Sequence, residues 1–173
     1  MEARAAKWPD GLEDRHAEPL TGRQALPVGL IVLSLVMAAG LVGLAGREAT
    51  ATVSGGGMRL EWHAPTVIRN GEFLEMRITL ESADAVGRPV LGIDASLWED
   101  FTVNSFIPAA VDESSANGEF RFEFAPMDPG ASLLIKVDAQ INPDTLGGNT
   151  GMVTVYDGDQ SLVSLPVQIE VLP

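Results

Sequence analysis

The stretch EFLEMRITLES, residues 72–82, decides the fold. Within it Leu74, Met76, Ile78 and Leu80 alternate with Glu75, Arg77, Thr79 and Glu81. Successive side chains of a β-strand point to opposite faces, so this spacing predicts a strand with one face buried and one wet. The same period recurs in GEFRFEFAP, where Phe120, Phe122 and Phe124 alternate with Arg121 and Glu123. It recurs again in SLVSLPVQIEVLP, where Val163, Leu165, Val167, Ile169 and Val171 share one face. Turn residues punctuate these runs at Asn70-Gly71, Asn117-Gly118, Asp128-Pro129-Gly130, Asn142-Pro143-Asp144 and Asp157-Gly158. Pro166 interrupts the last run, which predicts an edge position or a bulge, since proline donates no ladder hydrogen bond. About eight strands and no helix are expected beyond residue 57. Strands at this spacing without crossover helices make an antiparallel β-sandwich over residues 58–173, long enough to bury one inter-sheet core.

Upstream the chain changes character. Residues 25–46, ALPVGLIVLSLVMAAGLVGLAG, carry no charge, and Ser34 is the only polar side chain among them. As a helix such a run spans roughly 33 Å, against about 30 Å for a bilayer's hydrocarbon core. A soluble core helix would show a polar face, and Pro27 sits in the first turn, where proline is tolerated. The run is read as a retained transmembrane helix. The alternative is a cleaved secretion signal, for which Ala45, Gly46, Ala49 and Ala51 would supply the small residues. Lys7, Arg15 and Arg23 before the run, against Arg47 and Arg59 after it, favour a cytoplasmic N-terminus. Ser34 with Ala38, and Ala39 with Gly43, space small residues as helix-packing faces do, although Ala and Gly are also simply common in spans. Residues 1–24 mix charge with two prolines and read as a disordered cytoplasmic tail. Residues 47–57, ending in three glycines, read as a flexible tether.

Charge and composition exclude several functions. The net charge is −13, and the residues after 46 hold seven bases against nineteen acids, a net of −12. Such a surface repels nucleic-acid phosphates and anionic lipid alike. The chain has no cysteine, which removes disulfides, zinc–thiolate sites and thiol nucleophiles. His63 is the only histidine after the apolar run, and no G-x-S-x-G turn presents a serine to it. Glu99-Asp100 and Asp112-Glu113 are adjacent pairs whose members point apart on a strand. Tyr156-Asp157-Gly158-Asp159 offers two carboxylates, fewer oxygens than calcium takes, and Asp-Gly between strands is also a hairpin turn. No catalytic residue, cofactor or metal site is expected, and the chain reads as a non-enzyme.

Three stretches taken in order, RNGEFLEMRITLES, GIDASLWEDFTVNSFIP and FRFEFAPMDPGASLLIKVDAQI, resemble a bacterial surface-domain plan. The plan is that of immunoglobulin-like modules of the cell-adhesion-related and conserved-repeat type. Phe101, Val103, Ser105 and Pro108 match one element of that pattern, and Phe120, Phe122, Pro129 and Gly130 match later ones. The resemblance covers roughly residues 65–172 and implies an extracytoplasmic immunoglobulin-like sandwich of about seven to eight strands, without catalytic residues. Together with the anchor it implies the bacterial plasma membrane, with the C-terminal domain outside. The expected function is an interaction or accessory subunit for an integral membrane or envelope protein. An envelope polysaccharide-binding module is the alternative, with Trp62 and Trp98 as a stacking platform. Trp98, Phe101, Phe106 and Ile107 are the candidate interaction patch, against the plainer reading that these side chains fill the core.

Overall fold

The computed structural model describes residues 25–44 and 48–173. The tail expected over 1–24, the last two residues of the expected span and Arg47 lie outside the described residues. The chain divides into two compact units, Met1–Ala45 and Gly46–Pro173, each taken by itself.

The first unit contains helix α1, Ala25–Leu44, 20 residues without a charged side chain. Its described side chains are exposed, with Val28, Leu30, Ile31, Val32, Leu33, Leu35, Val36 and Met37 between 55% and 65% accessible. Ser34 and Ala38 are exposed with them; the side chains of Ala39 and Gly43 lie outside the described residues. Among the described residues alone, no helix is long and apolar enough to cross a membrane.

The second unit is a two-sheet sandwich of eleven strands. In chain order these are β1 (Glu48–Gly55), β2 (Met58–Pro65), β3 (Val67–Arg69), β4 (Phe73–Ser82) and β5 (Pro89–Asp94). A single helical turn, α2 (Ala95–Trp98), precedes β6 (Phe101–Ile107), β7 (Asp112–Ala116) and β8 (Glu119–Glu123). The chain closes with β9 (Ser132–Ile141), β10 (Gly147–Asp157) and β11 (Gln160–Leu172). One sheet has the order β1-β2-β4-β9-β6 and the other β3-β11-β10-β5-β8-β7. Every pairing is antiparallel except β3 with β11. With β1, β3, β7 and β8 set aside, the orders reduce to β2-β4-β9-β6 and β11-β10-β5. Lettered in chain order these are the ABED and GFC sheets of an immunoglobulin constant-type sandwich. The extra β7–β8 hairpin is inserted before the fifth of those lettered strands.

The alternation seen in the sequence builds the core. Leu74, Met76, Ile78 and Leu80 of β4 face inward beside Ile135, Val137, Ala139 and Ile141 of β9. Across from them lie Leu91 and Ile93 of β5, Val153 and Val155 of β10, and the five apolar residues expected on β11. Each large aliphatic side chain so buried contributes about 1.5–3 kcal/mol relative to exposure. The turns follow their residues. Asn117 and Gly118 both take positive φ (55° and 79°) between β7 and β8, as a two-residue type I′ hairpin requires. Pro166 pairs with Met152 of β10, while β3 reaches β11 only at residues 170–172, so the proline sits on a locally open edge.

Three features correct the sequence reading. Glu48–Gly55, expected as tether, is strand β1, paired with β2 through Gly55↔Met58. Gly56 and Gly57, at φ 52° and 72°, are the central residues of that hairpin's turn and not a flexible run. The sandwich therefore begins ten residues earlier than the expected boundary at 58. The strands number eleven and not seven or eight, because β1, β3 and β7 escape the apolar pattern; all five residues of β7 are exposed. A helix also follows the apolar run after all, the four-residue turn α2.

Candidate interaction groove

The two lateral sides of the sandwich differ. On one side the chain passes from β2 in the first sheet through Pro65 and Thr66 into β3 in the second. There β1 and β2 lie against β11, and Ala49, Ala51, Ala64 and Pro166 leave only a small cavity of about 130 Å³. On the other side the sheets end in β6 and β7, and the chain crosses between them in the connection 108–111. Between these edges runs a groove of about 590 Å³.

Its floor is aromatic. Phe106 of β6 stacks on Phe122 of β8 with ring centroids 4.6 Å apart, and Phe124 lies 6.1 Å from Phe106. Trp98 closes one end, 6.3 Å from Phe122 and 6.1 Å from Phe101. Phe120 and Val103 complete the apolar lining, and Glu113, Ser114 and Ser115 of β7 form the wall. Phe106, Phe120 and Phe122 are only half-buried, because the groove leaves one side of each ring uncovered.

Trp98 is held by α2, and α2 is clamped to β10. The Asp94 carboxylate accepts the Met152 backbone N–H at 2.7 Å, and the Ser96 hydroxyl donates to the Thr150 carbonyl at 2.8 Å. Buried Asn149 donates from Nδ2 to the Asp100 carboxylate at 3.2 Å. The turn can approach this closely because residue 151 is glycine: a Cβ there would lie 2.8 Å from the Cβ atoms of both Asp94 and Leu97.

The structure thus sorts the expected patch. Trp98 and Phe101 are buried (6% and 8% exposed) and belong to the core, with Trp98 forming the groove's inner end. Phe106 is half-buried on the floor. Ile107, 58% exposed, follows Phe106 on the strand and turns to the opposite face. Trp62 is 4% exposed, so the two tryptophans do not form an open stacking platform for a sugar. Phe120 and Phe122, which the sequence placed on a strand face without assigning a role, supply what Ile107 does not.

The outer face of the second sheet holds a polar cluster that the sequence reading did not anticipate. The Tyr156 hydroxyl donates to the Glu119 carboxylate at 2.9 Å, and the Arg121 guanidinium lies over the tyrosine ring, 4.5 Å from its centroid. Burial, and then the Glu119 bond, raise the Tyr156 pKa above its ordinary value. The cluster covers Gly92, where any side chain would run into Glu119 and Tyr156. The signal in the sequence was Gly92 in the middle of an otherwise apolar strand. Arg121 also donates to the Gly158 carbonyl at 2.8 Å and pairs with Asp159 at 3.6 Å. Asp157 accepts the Arg88 backbone N–H at 2.8 Å, so both carboxylates of the Asp157-Gly158-Asp159 turn have protein partners. Arg88 itself donates to Glu123, which raises its pKa further. Among the described residues no group of three or more His, Cys, Asp or Glu could hold a metal ion.

His63 is not a solitary surface residue. Its Nδ1 lies 2.8 Å from the Thr50 hydroxyl and its Nε2 3.1 Å from the Glu48 carboxylate. The three sit on the outer face of the β1–β2 hairpin, with Glu48 and Thr50 exposed. Hydroxyl, imidazole and carboxylate occur here in the order of a catalytic relay, but on an open sheet face with nothing to enclose a substrate.

No protein-family model matches this chain, and no characterised protein matches it in sequence. Solved structures superpose on it weakly. A chain of the crystallised CaDoc0917–CaCohA2 complex is 18% identical over 63% of this chain and 96% of its own, with a TM-score of 0.41. CaCohA2 from Clostridium acetobutylicum in solution is 17% identical over 62% and 88%, with a TM-score of 0.39. A non-cellulosomal cohesin from the hyperthermophilic archaeon Archaeoglobus fulgidus is 13% identical over 73% and 92%, with a TM-score of 0.41.

Proposed function

We propose that this chain is a non-enzymatic, membrane-anchored accessory subunit. Its sandwich stands outside the cytoplasm of a bacterial cell and binds a membrane or envelope protein. The observation that carries the binding role is the groove between β6 and β7: half-uncovered aromatic rings on a rigid floor, inside a strongly acidic domain. Rigid aromatic anchors in a desolvated recess are what hot spots of protein interfaces are made of. The anchor is supported by α1, whose side chains Val28 and Leu30–Leu33 expose apolar surface at consecutive 100° steps. A helix apolar on every side calls for lipid or a protein cover. Ser34, Ala38, Ala39 and Gly43 would then be the positions at which a partner helix approaches closely.

The test is capture of the full chain in mild detergent, followed by identification of what co-purifies. The expected result is one integral membrane or envelope protein, lost on Phe106→Ser and weakened by Gly43→Leu. A chain released from membranes by an alkaline wash would overturn the anchor. A captured partner indifferent to Phe106→Ser would overturn the groove.

A further inference from the structure

We infer that the groove's occupant is an extended, positively charged peptide segment of the partner, added as a strand along the free edge of β7. The inference rests on the binding role proposed above and specifies the chemistry of that same site. Strand β7 pairs only with β8, so its other edge presents unmatched backbone groups. That edge is the wall of the groove, and the stacked rings of Phe106 and Phe122 lie on the floor beneath it. A strand laid there would receive main-chain hydrogen bonds from the wall and rest alternate side chains on the aromatic floor, as strand addition to a sheet edge does.

Charge selects the segment. Strand β7 reads DESSA, and Asp112 and Glu113 are exposed and carry no ion-pair partner among those observed. Acidic residues on an edge discourage pairing with a second copy of the same edge, which would gather four carboxylates on one short ladder. The same residues attract arginine and lysine, and the domain's net charge of −12 extends that preference beyond the groove. An anchor of valine or phenylalanine size, flanked by basic residues, meets both demands.

The probe is a synthetic peptide alternating arginine with valine and phenylalanine, titrated calorimetrically into the full chain in non-ionic detergent. Two companions accompany it: one with glutamate for arginine, and one N-methylated at alternate residues, which cannot pair along one edge. The arginine peptide binds; the glutamate peptide does not; N-methylation weakens binding at least about tenfold, the worth of one or two lost hydrogen bonds. Asp112→Lys with Glu113→Lys, on a strand that contributes nothing to the core, also weakens it at least about tenfold and flattens its salt dependence. Equal binding of the N-methylated or glutamate peptide overturns the inference, as does no binding at millimolar peptide. Phe106-dependent self-association of the chain would make a second copy the occupant and overturn it too. If no peptide binds while the captured partner still depends on Phe106, strand addition falls and the binding role stands.

Discussion

Replacing Gly151 by alanine should free Trp98 from its seat. The added Cβ lies 2.8 Å from the Cβ atoms of Asp94 and Leu97 and 3.3 Å from the Leu97 nitrogen. Carbon atoms prefer about 3.5–4.0 Å, so α2 and β10 must separate by roughly 1 Å. Overpacking of this kind costs about 1–3 kcal/mol when the structure holds. If α2 lifts instead, the Asp94–Met152 and Ser96–Thr150 bonds are lost, at about 1 kcal/mol each. Alanine's smaller unfolded-state entropy offsets about 0.4–1 kcal/mol of either cost. The net expectation is a loss of up to about 2.5 kcal/mol, or up to roughly 10 °C in Tm for a domain of this size. Gly148, on the same strand, is the control. A Cβ there meets the Ile169 carbonyl at 3.4 Å and the Glu170 Cα at 4.0 Å, both ordinary contacts, so Gly148→Ala should be neutral or stabilise by up to about 1 kcal/mol. Urea unfolding of residues 48–173, read by tryptophan fluorescence, measures both, and Trp98 should become more exposed in the Gly151 variant alone. Equal stabilities for the two variants, within about 0.5 kcal/mol, would refute the claim that Gly151 sets the seat of α2.

Tyr156 is the only tyrosine in the chain, so a tyrosinate absorbance titration reads it alone. Its raised pKa means that the folded state holds the phenol proton more tightly. The associated stability is complete below the ordinary tyrosine value of about 10 and is lost as pH rises through the higher folded one. Glu119→Gln should bring the midpoint back towards the ordinary value, and an unshifted parent midpoint would contradict the part-buried Tyr156–Glu119 contact. Ile135→Ala, at 0% exposure, should cost about 2–5 kcal/mol, whereas Leu134→Ala, 45% exposed on the other face of β9, should cost under about 1 kcal/mol in the same urea assay. Millimolar calcium should leave the melting temperature unchanged, because Asp157 and Asp159 already have the Arg88 backbone and Arg121 as partners; a rise would mean that the turn rearranges around a cation.

The core strands were legible because burial on one face writes itself into the chain at every second residue, as in β4 and β11. Edges write nothing of the kind. In β1 only Ala51 and Val53 pack against the core, small enough that Ala-Thr alternation reads as a loop. The glycines after it looked like slack because composition cannot separate a run that wanders from one that must take positive φ twice in succession. In β7 every side chain is exposed, so nothing apolar marks it. The groove was half visible. Trp98, Phe101 and Phe106 stand out as an aromatic cluster, but which of them faces solvent depends on a strand of the facing sheet, β8, more than ten residues away. Phe122, the ring that completes the stack, lies on that strand. Alternation counted from Phe101 would place Ile107 inward, but the register shift between Val103 and Ser105 turns Phe106 inward in its place. The polar roof over Gly92 depends on Tyr156 coming from β10, a pairing that local spacing does not encode.

The direct passage of the chain from β2 in the first sheet to β3 in the second through Pro65 and Thr66 gives the sandwich a spine, as a book has, with β6 and β7 as its fore-edge. At the spine only Pro65 and Thr66 separate the two strands, while at the fore-edge the leaves are joined by the longer connection 108–111 and by the stacked rings. Opening fluctuations should therefore concentrate at the fore-edge, and amide exchange there should run ahead of that in β2 and β4. A strand clasped between the leaves would slow exchange at a distance from its own contacts, in β8 and β9 as well as in β7. Occupancy could then be read in the solvent exchange of the whole free margin, without sight of the ligand.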